Sequence, residues 1–115
     1  MFNNILANEL GGNKFFKFEV SIGAPVSAGL GSSASLSVAL AAVMLHYKSP
    51  ETSPDLEAIC QAGFMGEKMI HGNPSGIDNT IVTYGGMISY VAGETTHIEN
   101  TPSLPLLIVE TGVPR

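Results

Sequence analysis

Three groups of residues in this chain of 115 have the types and spacing to do chemistry. The first is Gly29, Leu30, Gly31, Ser32, Ser33 and Ala34, set just before the apolar run LSVALAAVMLH. Glycines let the backbone turn its N–H groups inward. A helix beginning there adds unpaired N–H donors and the positive end of its macrodipole, which together suit a polyphosphate. A serine hydroxyl at that point could also reach a metal ion. The stretch is not a Walker loop, because the G-x-x-x-x-G-K-[ST] spacing and its lysine are absent. A surface turn capped by serine is the plain alternative.

The second is Glu67, in EKMIHGNPSGID. On a wheel of about 3.6 residues per turn, Leu56, Ile59, Cys60, Gly63 and Ile70 share one face, with Glu67 in its middle. The opposite face, with Ala58, Ala62, Met65 and Met69, is also apolar. A carboxylate there costs several kcal/mol unless something positive pairs with it. With only five Lys and Arg in the chain, Mg²⁺ is an attractive counter-ion; a basic partner, or a side chain reaching water from the helix end, are the alternatives. The third is Asp78, which leaves the irregular path of Gly72, Pro74 and Gly76 immediately before an apolar stretch read as strand. A path of that kind aims one side chain rigidly, as a general base requires, although an ordinary Asn-Pro turn capped by Asp78 would look the same. His71 reads as a helix-end histidine satisfying carbonyls, and His46 and His97 are assigned no role. Taken together, a glycine-serine loop, an inward glutamate and a fixed aspartate are the parts for Mg-dependent phosphoryl transfer.

These residues need elements to hold them. Residues 14–22, KFFKFEVSI, read as a strand, and a helix from about Ser32 to Tyr47 is apolar nearly all round, the mark of a central buried helix. A second helix is predicted with Ser53 as N-cap and Pro54 at its first position, running to about His71 and ending at Gly72. Residues 80–92, TIVTYGGMISYVA, read as two short strands or one bent at Gly85-Gly86, and residues 104–112, LPLLIVETG, as a fully buried strand. Mixed elements without regular alternation point to α+β.

The bulk properties narrow the partners. The chain is at most one domain or a piece of one. It is 44% hydrophobic and only 13% charged, against about 25% charged in typical soluble domains. So thin a polar coat implies that part of the surface is normally covered by another segment or a partner. The formal net charge of -5 argues against a nucleic-acid groove. One cysteine, Cys60, excludes an internal disulfide framework and a multi-cysteine metal site. No secretory signature opens the chain, and the longest apolar stretch, Val38 to Leu45, is too short to span a membrane. A cytoplasmic home is expected.

PVSAGLGSSAS resembles the second signature, P-x-x-x-G-L-G-S-S-A, of the GHMP small-molecule kinases, and GEKMIHGNPSGIDN and VETGVPR resemble, in the same order, segments of the mevalonate kinase family within it. That resemblance implies an incomplete α+β N-terminal domain of the GHMP type, similar to ribosomal protein S5 domain 2, and transfer of the γ-phosphoryl of ATP to mevalonate in isoprenoid and sterol synthesis. It implies that Gly29 to Ala34 cradle the ATP phosphates and that Ser33 and Glu67 bind Mg²⁺. Asp78 would be the base on the 5-hydroxyl of mevalonate, and Thr111 would lie beside the bound substrate. The family's N-terminal lysine signature, whose lysine pairs with the catalytic aspartate, has no match before Lys14, and its C-terminal glycine-rich signature has none either. The chain is therefore expected to be the middle of a longer kinase with little activity alone. The alternative is an inactive piece that binds nucleotide or a partner kinase subunit; a homodimer is compatible with either.

Overall fold

A computed structural model describes residues 16–23, 29–91, 93–109 and 112. Three helices precede a hairpin: α1 (Ser32–Lys48), α2 (Leu56–His71), α3 (Ile77–Tyr84), β1 (Ile88–Val91) and β2 (Glu94–His97). The strands pair antiparallel with Ile88 opposite His97 and Val91 opposite Glu94. Helices followed by a separate antiparallel pair make the described part α+β. Among the described residues no helix is long and apolar enough to cross a membrane.

The first two helices begin and end close to where the sequence puts them. Helix α1 starts from Gly31, whose φ of 70° is left-handed and therefore suits glycine. No serine side chain caps it; Ser35 instead donates its hydroxyl back to the Gly31 carbonyl at 2.9 Å. In α2 the N-cap is Asp55, not Ser53, and Pro54 stays outside the helix. Gly72 closes α2, its N–H reaching the Lys68 carbonyl.

The small core lies where α1 crosses α2. Ala34, Val38 and Ile59 are its buried apolar residues; Gly63 brings the α2 backbone close to α1, and Gly66 is buried as well. A methyl group on Gly63 would sit 2.7 Å from Val38 Cγ2 and 3.3 Å from Val38 Cα. That close approach lets side chains of α1 meet those of α2.

Helix α3 corrects the reading of residues 80–84 as strand. Thr80, Ile81, Val82, Thr83 and Tyr84 have the β-branched and aromatic look of a strand, yet they continue a helix begun at Gly76, which has φ 87°. Ile77, Thr80, Ile81 and Tyr84 are the half-buried stripe, an i, i+3, i+4, i+7 pattern. Buried Asn79 pins α3 to α2, donating Nδ2 to the Cys60 carbonyl and sulfur, each at 3.2 Å. Farther along, Tyr84 donates its hydroxyl to Glu57 Oε2 at 2.8 Å, and Gln61 donates to Glu57 Oε1.

The two remaining strand readings also need correction. Residues 16–23 and 101–109 have no regular secondary structure. Leu106 and Leu107 are 83% and 90% exposed, the reverse of a buried strand. A strand of that composition needs neighbours on both sides and both faces, and no described segment pairs with it. Nor is α1 buried all round: only Ala34, Ser37 and Val38 are covered, while Val43 and Tyr47 face solvent. The expected thin polar coat appears here as exposed apolar side chains.

The Glu57–Tyr84 contact has a titration signature. Hydrogen bonds from Gln61 and Tyr84 hold the Glu57 carboxyl below its usual range. The bond to Glu57, ahead of desolvation, pushes the Tyr84 phenol up to about 12 from 10.0. Stability from the lowered Glu57 is present above its unfolded pKa and is lost as pH falls through the folded value. Stability from the raised Tyr84 is complete below pH about 10 and is lost on the way to about 12. In Glu57→Gln the Tyr84 ring resonance should therefore titrate nearer 10, and an unchanged midpoint would show that the contact does not form in solution.

Candidate functional site

The first turn of α1, the last turn of α2 and the first turn of α3 meet around one cleft of about 430 Å³. Ser32, Ser33 and Ala34 approach it from α1, Glu67 and His71 from α2, and Asp78 from α3. Gly29 and Gly31 also line it. Both have left-handed φ, 76° and 70°, so the chain enters α1 by a turn that leaves the cleft side of the first turn open. The N–H groups of that turn have no carbonyl one turn back to accept from them, and they carry the helix's positive end.

Glu67 is the centre of the polar contacts. It is 4% exposed, and its Oε1 accepts hydrogen bonds from Ser33 Oγ at 2.6 Å and Ser37 Oγ at 3.1 Å. Its Oε2 lies 3.7 Å from His71 Nε2, and that nitrogen lies 3.1 Å from Ser33 Oγ. A buried carboxylate with hydroxyl partners and no Lys or Arg in ion-pair range among the described residues is a hard, negatively charged oxygen site. The described residues contain no group of three His, Cys, Asp or Glu that would enclose an ion. A cation here would depend on ligands from water or phosphate, the habit of Mg²⁺ rather than of a metal needing a full protein cage.

Asp78 stands on the first turn of α3 and is exposed. Its side chain makes no hydrogen bond or ion pair with a described residue. Its direction is set by the neighbours, with Gly76 turning the chain and Asn79 anchored to α2. Of the residues singled out in the sequence, the cleft thus unites Gly29, Gly31, Ser32, Ser33, Ala34, Glu67 and Asp78. Leu30 is on the same turn but 41% exposed and not part of the lining. Thr111 lies outside the described residues. Ser37 escaped sequence reading, and His71, read there as a helix-end residue satisfying carbonyls, faces Ser33 and Glu67 instead. Their only signal was spacing, Ser37 one turn beyond Ser33 and His71 one turn beyond Glu67.

Comparison with known proteins gives the chain a family. Residues 2–86 match the GHMP kinases N terminal domain, so the chain belongs to the GHMP kinase family. Within it, the chain is similar to mevalonate kinases. It is 42% identical over 104 residues to the mevalonate kinase of Homo sapiens, across 79% of this chain and 26% of that protein. Identity is 43% over 101 residues to that of Arabidopsis thaliana, across 79% and 27%. For the mevalonate kinase of Aeropyrum pernix it is 41% over 100 residues, across 84% and 30%. The chain spans about a quarter of the length of the relatives it matches.

Proposed function

We propose that this chain is the central, phosphate-binding segment of a longer cytoplasmic kinase that transfers the γ-phosphoryl group of ATP to the 5-hydroxyl of mevalonate. The observation that carries the reading is the cleft in which the N-terminus of α1, the Ser33–Glu67 pair and Asp78 face one another. The domain would be the GHMP N-terminal type, similar to ribosomal protein S5 domain 2, with the rest of the fold supplied by the remainder of the protein. Exposed Leu106 and Leu107 fit that view, since contiguous apolar surface is rarely left uncovered.

Each residue then has a part. First-turn N–H groups of α1, reached past Gly29 and Gly31, donate to the phosphates of ATP. Ser33 and Glu67 would hold Mg²⁺, and their oxygen donors fit that ion. When bound, Mg²⁺ neutralises charge on the β- and γ-phosphates. Asp78 accepts the proton of the mevalonate hydroxyl as the hydroxyl oxygen attacks the γ-phosphorus; the bond from that phosphorus to the β–γ bridging oxygen breaks, and ADP leaves carrying that oxygen. Thr111 would contact mevalonate.

ADP release by the full-length protein should require mevalonate and should not occur with homoserine or galactose. Turnover on either of those, or none on mevalonate, refutes the substrate. The purified 115-residue chain should show little or no turnover, and robust activity that Asp78→Ala abolishes would refute the reading of the chain as an incomplete site. A nucleotide-binding piece without catalysis is the second reading, supported by the same uncovered apolar surface. Mg-ATP binding without turnover, or co-purification with a separate kinase subunit, would favour it.

A further inference from the structure

We propose that Ser37 is a positioning residue for Glu67, fixing one carboxylate oxygen so that the other stays available to a cation. The proposal rests on reading Glu67 as a metal ligand.

Ser37 is 2% exposed, the most deeply buried polar side chain described. It does not line the cleft, so it acts on a bound ligand only through another group. The surrounding helix is Ala-, Val- and Leu-rich, and a hydroxyl placed there loses its water. In a helix such a hydroxyl commonly turns back to the carbonyl one turn earlier, as Ser35 does to Gly31. Ser37 instead donates across the helix interface to Glu67 Oε1 at 3.1 Å.

Ser33 and Ser37 stand one turn apart on α1 and converge on that same oxygen. Their situations differ. Ser33 lines the cleft and is also within 3.1 Å of His71 Nε2, so a ligand entering the cleft competes for it. Ser37 has a single partner and is sealed from the cleft. Its bond therefore holds the Glu67 carboxylate whatever Ser33 does, and Oε2, faced among the described residues only by the His71 ring at 3.7 Å, is the oxygen left to a cation. Loss of such an outer partner typically weakens metal affinity by about 10- to 100-fold.

The test uses the full-length protein, with Mn²⁺ as the probe and its electron paramagnetic resonance signal titrated in the presence of ATP. Ser37→Ala should weaken Mn²⁺ binding by about tenfold or more and leave metal-free ATP affinity within about twofold, since Ser37 has no route to the nucleotide. Ser37→Cys keeps the volume but is a poor donor. It should behave like the alanine variant and serves if that one does not fold. Wild-type Mn²⁺ affinity in a folded Ser37 variant overturns the proposal even if the melting temperature drops, because packing alone would then explain the serine. So does a parallel loss of metal-free ATP affinity. Glu67→Gln separates the two levels. If it abolishes Mn²⁺ binding and the Ser37 variants do not weaken it, only the positioning role falls. If Glu67→Gln binds Mn²⁺ normally, the metal reading falls and the proposal with it.

Discussion

Asp78→Asn should lower turnover of the full-length protein by about 10²–10⁴-fold, the usual worth of a general base, or about 3–5 kcal/mol of transition-state stabilisation. On the proposed mechanism the substitution would take away the proton acceptor and little else. Asp78 is exposed on the first turn of α3, and its side chain bonds to no described residue, so asparagine replaces it without orphaning a partner. The anchors of that turn, Gly76 with φ 87° and Asn79 bonded to Cys60, are untouched. Stability and ATP affinity should both stay close to wild type while kcat collapses. A variant retaining a tenth or more of wild-type kcat would remove Asp78 from the chemistry and leave only binding to the cleft.

Gly63→Val should cost about 3 kcal/mol of stability, at the upper end of ordinary overpacking. Its first added carbon alone would lie 2.7 Å from Val38 Cγ2 and 3.3 Å from Val38 Cα. A rotamer change relieves only the former, and valine in a helix has one strongly preferred rotamer. The helices must therefore separate. Separation reaches the site, because Ser33 and Ser37 on α1 bond to Glu67 on α2 at 2.6 and 3.1 Å. Valine has a higher helix propensity than glycine, so a loss in Gly63→Val, read by chemical denaturation beside Ala58→Val on the exposed face of the same helix, reports the clash and not propensity. Adding Val38→Ala should recover part of the loss, giving a coupling of about 0.5–3 kcal/mol between touching sites. Equal stabilities for the two valine variants would mean that α1 and α2 do not cross at Gly63.

The sequence by itself determined the local things. The glycine-serine turn into α1 and the extent of α2 to Gly72 follow from spacing, caps and periodicity, which act over one or two turns. Spacing also drew attention to Ser32, Ser33, Glu67 and Asp78, and the resemblance to the GHMP kinases is what gave Ser33, Glu67 and Asp78 expected roles. What spacing could not deliver was anything set by a partner far along the chain. Residues 80–84 have strand-like side chains, and only the Gly76 turn and docking on α2 make them helix. Residues 104–109 have the composition of a buried strand, but a strand forms only against a neighbour, and no described segment provides one. Ser37 looks like an accident in an apolar helix until α2 crosses it and offers Glu67 Oε1 as acceptor. Burial of a carboxylate, the sharing of one of its oxygens by two hydroxyls and the meeting of three helix ends at one cleft are long-range facts. They depend on the closeness of α1 to α2 at Gly63, and tertiary packing alone sets that distance.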